Sequence, residues 1–144
     1  MATERRAEVT WAGDLMSGSG TIDNVTSGAL PALDVSWPSR SETPDRKTSP
    51  EELIAAAWAS CFSMALANGL AQGGNPPEKL ETSATVTFQP GEGIVKGALT
   101  VHGTVPGLDA GGFAAAAENA KANCPVSKAL AGIPEIALTA ELTG

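Results

Sequence analysis

The sequence predicts an α+β fold, with mainly antiparallel sheets around a buried central helix, and three observations carry that expectation. Residues 49 to 70, SPEELIAAAWASCFSMALANGL, open on a helix-start signature and then carry no charge from Leu53 to Gln72. Such a helix has no polar face broad enough to lie on a surface, so it belongs in a core. Segments on both sides of it alternate apolar and polar residues with a period of two, the mark of half-buried strands. The order that results is strands, helix, strands, helix, strand, without the βαβ alternation that builds a parallel sheet. No internal repeat or shift of composition divides the chain, so residues 1–144 are expected to form one domain.

Each element has its own signal. Val9 and Trp11 alternate with Glu8 and Thr10, and Gly13-Asp14 supplies a turn to a partner strand near Gly20 to Val25. Leu33, Val35 and Trp37 alternate with Asp34 and Ser36, giving a third strand that Pro38 ends. The polar run from Ser39 to Thr48 reads as a solvated loop. The central helix follows, with Ser49 as N-cap, Pro50 at the first helical position and Glu52 where a capping-box carboxylate reaches back. After the break at Gly73, Gly74, Pro76 and Pro77, a strand carries Leu80, Ala84, Val86 and Phe88 on one face. A PGEG turn then leads to Val95, Leu99, Val101 and Val105 in an antiparallel partner. Asp109 caps a second helix running to about Ala122, and Ile136, Leu138, Ala140 and Leu142 make a final strand.

Composition excludes several functions. A net charge of −7 speaks against nucleic acid and against anionic membrane surfaces, both of which require clustered Lys and Arg. The central helix is interrupted by Ser60, Ser63 and Asn68 and begins with Glu51 and Glu52, so no membrane span is expected. Charges in MATERRAEVTW occupy the place of a secretory apolar region, which predicts the cytoplasm. In that reducing compartment a disulfide between the two cysteines would be transient and chemical. With three Trp, three Phe and no Tyr, burial rests on small aliphatic residues, and a homo-oligomer sharing the central helix would remedy the shortfall.

Few residues are candidates for chemistry. Cys124 lies in KANCPVSKAL, where Pro125 ends one helix and starts another, so Cys124 falls at an N-cap that favours a thiolate. Cys61 lies inside the central helix, where burial raises its pKa, and helix physics taken alone nominates Cys124 as the more acidic thiol. Read on spacing and composition only, small buried hydrophobes are the favoured reading of both cysteines and a redox role is the minority one. Arg40, Arg46 and Lys47 precede the central helix and can bring a cation to Cys61; Arg40 is favoured because it follows the third strand almost directly. Zinc is disfavoured, since two cysteines and the single His102 show no local ligand spacing, and no phosphate or dinucleotide loop is present.

The motifs SPEELIAAAWASCFSMAL, VPGLDAGGF and KANCPVSKAL, with WAGD and GSGT nearer the start, resemble the OsmC/Ohr hydroperoxide reductases, in their osmotically inducible protein C branch. The resemblance implies an intertwined homodimer that reduces organic hydroperoxides without metal or other cofactor. It makes Cys61 the peroxidatic cysteine and Cys124 the resolving one, joined in a transient disulfide that an external dithiol, a dihydrolipoyl protein or a small thiol, reduces. It also implies a catalytic arginine, Arg40 by position with Arg46 as the second choice, oriented by Glu51. On these terms the resemblance overrules the helix-dipole ranking of the thiols. The alternative is a ligand-binding or structural stress protein on the same fold without peroxidase activity. Glu51 and Cys61 are ten residues apart on one helix, roughly 15 Å along its axis, so Arg40 and Glu51 are expected to complete the site around Cys61 of a second subunit. Trp58, Phe62 and Met64 are expected to offer an apolar wall to an alkyl or aryl hydroperoxide.

Overall fold

The computed structural model describes residues 1–143, and they group into two compact units, Met1–Leu53 and the chain from Ile54 on. In the first unit, β1 (Glu8–Ala12), β2 (Ser19–Asp23) and β3 (Leu33–Val35) form an antiparallel sheet in that order. Trp11 faces Gly20, which in turn faces Val35. Asp14 shapes the first turn, its carboxylate accepting from the backbone N–H and the hydroxyl of Ser17 at 2.8 and 2.7 Å.

The third strand stops earlier than its alternation predicts. Trp37 opens a short helix, α1 (Trp37–Ser41), for which Ser36 is the N-cap. Ser36 and Ser39 each accept the other's backbone N–H, at 3.2 and 3.0 Å, and Pro38 fits the first turn. The run from Ser39 therefore begins as helix, and its far end is tied back where Thr48 N–H donates to the Asp34 carbonyl at 3.0 Å.

The long helix α2 (Pro50–Gln72) starts in the first unit and continues into the second. Ser49 caps it by accepting from Glu52 N–H at 3.1 Å. The Glu52 carboxylate does not supply the expected return arm of a capping box; it accepts from the Thr48 hydroxyl at 2.9 Å.

In the second unit β4 (Lys79–Gln89) and β5 (Gly93–Thr104) form the expected antiparallel hairpin. β6 (Glu135–Leu142) pairs with β5 in parallel. A parallel neighbour requires a crossover, and α3 (Ala110–Asn123) with α4 (Pro125–Ala129) provides it. Asp109 begins the crossover by accepting from Gly112 N–H at 2.7 Å. The core joins Trp58, Phe62, Leu66 and Leu70 of α2, every fourth residue, to Leu99 and Val101 of β5 and to Phe113 and Ala117 of α3. Gly97 and Gly103 make the close packing possible: a Cβ on Gly97 would lie 2.8–2.9 Å from the Trp58 ring, and one on Gly103 would collide with the Phe113 ring.

Beyond its first turn, where Glu51 is also buried, the fully buried residues of α2 are confined to that stripe. Ala57, Ser60 and Met64 on other faces are exposed, Met64 at 71%, although the sequence reading expects the helix to be buried all round. A helix laid on one sheet covers only one side of itself, and lack of charge does not tell which neighbours cover the rest. By length and hydropathy alone α2 would qualify to cross a bilayer, but its Trp58 to Leu70 stripe is packed into the protein core.

Candidate active site

The two cysteines, 63 residues apart in sequence, come together in the second unit with their sulfurs 2.9 Å apart. Both are free thiols; Cys124 is fully buried and Cys61 partly exposed. Cys61 is brought there by α2, three residues past the anchored Trp58 and one before buried Phe62. Cys124 is held by the junction of α3 and α4, where its N–H still donates to the Ala120 carbonyl at 2.8 Å and Pro125 redirects the chain.

The sulfurs are hydrogen-bonded, and their surroundings favour the two charged forms unequally. Burial pushes the Cys61 thiol up, and its hydrogen bond with Cys124 pushes it further, against a smaller opposing effect of Val126 N–H. Burial also disfavours the Cys124 thiolate. That effect is outweighed by the hydrogen bond from Cys61, by the backbone N–H and hydroxyl of Ser127, and by Val126 N–H, so the Cys124 thiol falls below its ordinary value. No backbone N–H closes a formal capping bond onto the sulfur, so these donors act as nearby dipoles.

Ser127 is itself held in place. The Trp58 indole N–H donates to Ser127 Oγ at 2.7 Å in a buried bond. Neither residue stood out in the sequence as chemical. A signal was there, since Trp58 is one helical turn before Cys61 and Ser127 sits in the first turn after Cys124, but only the packed core shows that the two meet.

Arg40 and Glu51 lie in the first unit. Arg40 sits near the end of α1, and its Nε and Nη2 donate to the two Glu51 oxygens in a fork of 3.0 to 3.2 and 2.8 Å. The Glu51 side chain is 8% exposed and that of Arg40 31%. A planar guanidinium on a buried carboxylate is a strong, directional pair. Arg46 is exposed in a tight turn where Asp45 and Arg46 both have positive φ, and it is Arg40 that engages Glu51. The Arg40 side chain also borders an apolar cavity of about 340 Å³ lined by Val9, Trp11, Ile22, Val35 and Trp37.

The apolar wall read along α2 is distributed differently from its expectation. Trp58 and Phe62 are core residues with no exposure, and only Met64 faces outward. His102 lies on the face of β5 opposite the core, with Nδ1 3.2 Å from Glu141. Among the described residues no three His, Cys, Asp or Glu side chains converge as a metal ligand set.

Comparison with known proteins gives a consistent picture. The family profile described as OsmC-like protein matches residues 43–139. The chain is 39% identical over 133 residues to peroxiredoxin OsmC of Escherichia coli (strain K12), covering 90% of this chain and 92% of that protein. Its fold is similar to that of the organic hydroperoxide resistance protein OhrB of Bacillus subtilis, with a TM-score of 0.65 at 26% identity over 96% of this chain and 98% of that one. A similar match, with a TM-score of 0.65 at 23% identity, covers 96% of this chain and 97% of the organic hydroperoxide resistance protein OsmC of Legionella pneumophila.

Proposed function

The chain belongs to the OsmC-like protein family, and from that premise we propose that this cysteine-based peroxidase reduces organic hydroperoxides to alcohols through Cys61 and Cys124. The observation that carries the assignment is the 2.9 Å separation of two sulfurs from distant parts of the chain. Two merely space-filling cysteines have no need to meet.

Cys61 is the peroxidatic residue in this reading, because it is the partly exposed member of the pair. Its thiolate attacks the distal peroxide oxygen, the O–O bond breaks, and the alkoxide leaves with a proton as the alcohol. The sulfenic acid on Cys61 is then attacked by the Cys124 thiolate, an S–S bond forms, and water leaves. A depressed Cys124 pKa suits that second step. For the first step the negative charge must move from Cys124 to Cys61, and a guanidinium beside Cys61 draws it there while the proton passes across the short S–S gap. Arg40 takes that role, oriented by Glu51. An external dithiol, on a dihydrolipoyl protein or a small thiol, restores the two thiols.

The whole chain acts as one domain and as a homodimer. Val9, Trp11, Leu15 and Met64 are exposed apolar side chains that a second copy would cover. Arg40 and Glu51 of one subunit then complete the site around the other's Cys61. The apolar cavity beside Arg40 provides a place for the organic part of the substrate. The place of action is the cytoplasm, where dithiol reductants are at hand and the thiols stay reduced between turnovers.

The test is to titrate free thiols before and after one equivalent of an alkyl hydroperoxide. Both thiols should disappear together and a Cys61–Cys124 disulfide should appear in the peptide map. Thiols that persist, with the peroxide unconsumed, would assign the chain to ligand binding or structure on the same fold.

A further inference from the structure

Arg40 can act on a thiol or a peroxide only while its guanidinium keeps one orientation, and the helix that carries it is too short to hold that orientation alone. α1 has five residues, little more than one turn, and a helix of that length has no stability of its own. A closed set of hydrogen bonds between Ser36 and Ser39 supplies what is missing. The Ser39 hydroxyl donates to the Ser36 carbonyl at 2.9 Å, and its oxygen accepts the Ser36 backbone N–H at 3.0 Å. The Ser36 hydroxyl donates to Ser39 Oγ at 2.9 Å, and its oxygen accepts the Ser39 N–H at 3.2 Å. Arg40 joins the same anchor, its backbone N–H donating to the Ser36 carbonyl at 3.1 Å. Ser39 is 7% exposed, so water is a poor substitute for any of these partners. The conformation that competes is visible in the sequence, where Leu33, Val35 and Trp37 keep strand alternation and would carry β3 onward.

We propose that Ser39 is a positioning residue: its buried hydroxyl, locked with Ser36, holds the Arg40 backbone so that the guanidinium meets Glu51 as a fork. Ser39 thereby sets how strongly Arg40 favours the Cys61 thiolate and orients the peroxide. The inference rests on the role proposed above for Arg40. The fork, at 3.0 and 2.8 Å, needs direction as well as proximity, because two parallel N–H bonds must reach one carboxylate. Ser39 is covalently next to Arg40, so an unlatched turn moves the base of the Arg40 side chain, and Glu51 then meets a guanidinium that swings. Misplacing a catalytic group by about 1 Å is enough to cost roughly 100-fold in rate.

The experiment uses the full chain in a Cys124→Ser background, where Cys61 is the one thiol left. Alkylation of Cys61 by iodoacetamide is followed across pH, which reads the thiolate without any need for peroxidase activity, beside single-turnover oxidation by an alkyl hydroperoxide. The variants are Ser39→Ala, Ser39→Thr, Arg40→Ala and the pair Ser39→Ala with Arg40→Ala, each first shown by circular dichroism to be folded. Arg40→Ala should move the alkylation midpoint to higher pH, because a cation beside a thiol favours its charged form. Ser39→Ala should move it in the same direction by less, and should slow oxidation by about 10- to 100-fold. Ser39→Thr, which keeps the hydroxyl, should restore most of both. Added to Arg40→Ala, Ser39→Ala should change nothing further, the non-additivity expected of a residue that acts through its neighbour. A purely structural serine would lower stability and leave the midpoint of the folded protein where it was; that result, or an equal further loss in the double variant, overturns the inference. If Ser39→Ala does not fold, Ser36→Ala, which removes the other half of the latch, takes its place with the same expectation. Should Arg40→Ala itself leave both readouts unmoved, the role given to Arg40 falls and this inference with it. A protein whose alkylation responds as stated, but whose thiol ignores hydroperoxide, would instead overturn the peroxidase reading and leave the positioning role of Ser39 standing.

Discussion

Cys61 and Cys124 are chemically the same residue set in different fields, and pH should separate them. Cys61 is held up first by burial and then by its neighbour's sulfur. Replacing Cys124 with Ala removes the second cause and leaves the first, so the acid form of Cys61 loses part of its advantage. The pH midpoint for oxidation of Cys61 by an alkyl hydroperoxide should therefore move down in Cys124→Ala, read from single-turnover rates across pH. A midpoint at or above that of wild type would show that Cys124 does not restrain Cys61. At fixed pH the roles should also separate: Cys61→Ser should consume no peroxide, while Cys124→Ser should consume one equivalent and then stall. Peroxide consumed at the normal rate by Cys61→Ser, with Cys124→Ser inert, would exchange the two assignments. Local sequence already pointed to a lowered Cys124 pKa through the N–H groups that follow the break at Pro125, although the neighbouring Cys61 sulfur, which local sequence does not show, lowers it more. Ser127 reads in the sequence as one more serine, and only the fold shows its Oγ accepting from the Trp58 indole N–H.

The elements that present these residues depend on short local devices. Ser49 accepts one otherwise orphaned N–H at the start of α2. Ser49→Ala should lower the unfolding free energy by about 1 kcal/mol in a denaturant titration, with activity retained in the folded fraction. Gly103 admits the buried Phe113 ring against β5, so Gly103→Ala should destabilise the second unit by about 1–3 kcal/mol, more than the same change at open Gly132. Equal effects at the two glycines would mean that the ring moves aside freely. The helix α1 is the instructive departure. Leu33, Val35 and Trp37 keep strand alternation, but Ser36 and Ser39 form a capping box and Pro38 has a first-turn position, and these hydrogen bonds prevail over periodicity. That turn carries Arg40 on helix and presents its guanidinium to Glu51.

Assembly is the scale at which the proposed site is to be completed. The ion pair and the thiols are carried by different parts of the chain, and the homodimer proposal joins them across subunits. A Cys61→Ser chain and an Arg40→Ala chain should each be inactive alone. After subunit exchange each heterodimer would hold one doubly altered site and one intact site, so an equal mixture should regain about a quarter of wild-type activity. A mixture shown by mass to have exchanged subunits, yet still inactive, would mean that each chain builds its own site. Sedimentation should give twice the mass of one chain, and a charge placed at exposed Met64 should shift it toward one.

The helix start at Ser49, the β4–β5 hairpin, the Asp109 cap and the break at Pro125 all follow from residues within a few positions of one another, which is why sequence alone determines them. The order of strands and helices excludes a doubly wound sheet for the same reason. What depends on contacts far apart in the chain came only with the fold: the parallel pairing of β6 with β5 and the packing of α2 along its Trp58 to Leu70 stripe; the meeting of Cys61 with Cys124 was implied by the family resemblance and by nothing in local sequence. Local preference sets each element, but which side of it is covered, and by what, is a property of the packed whole. The bond from Trp58 to Ser127 belongs to that second kind, since its donor and acceptor lie 69 residues apart and nothing in either neighbourhood announces the other.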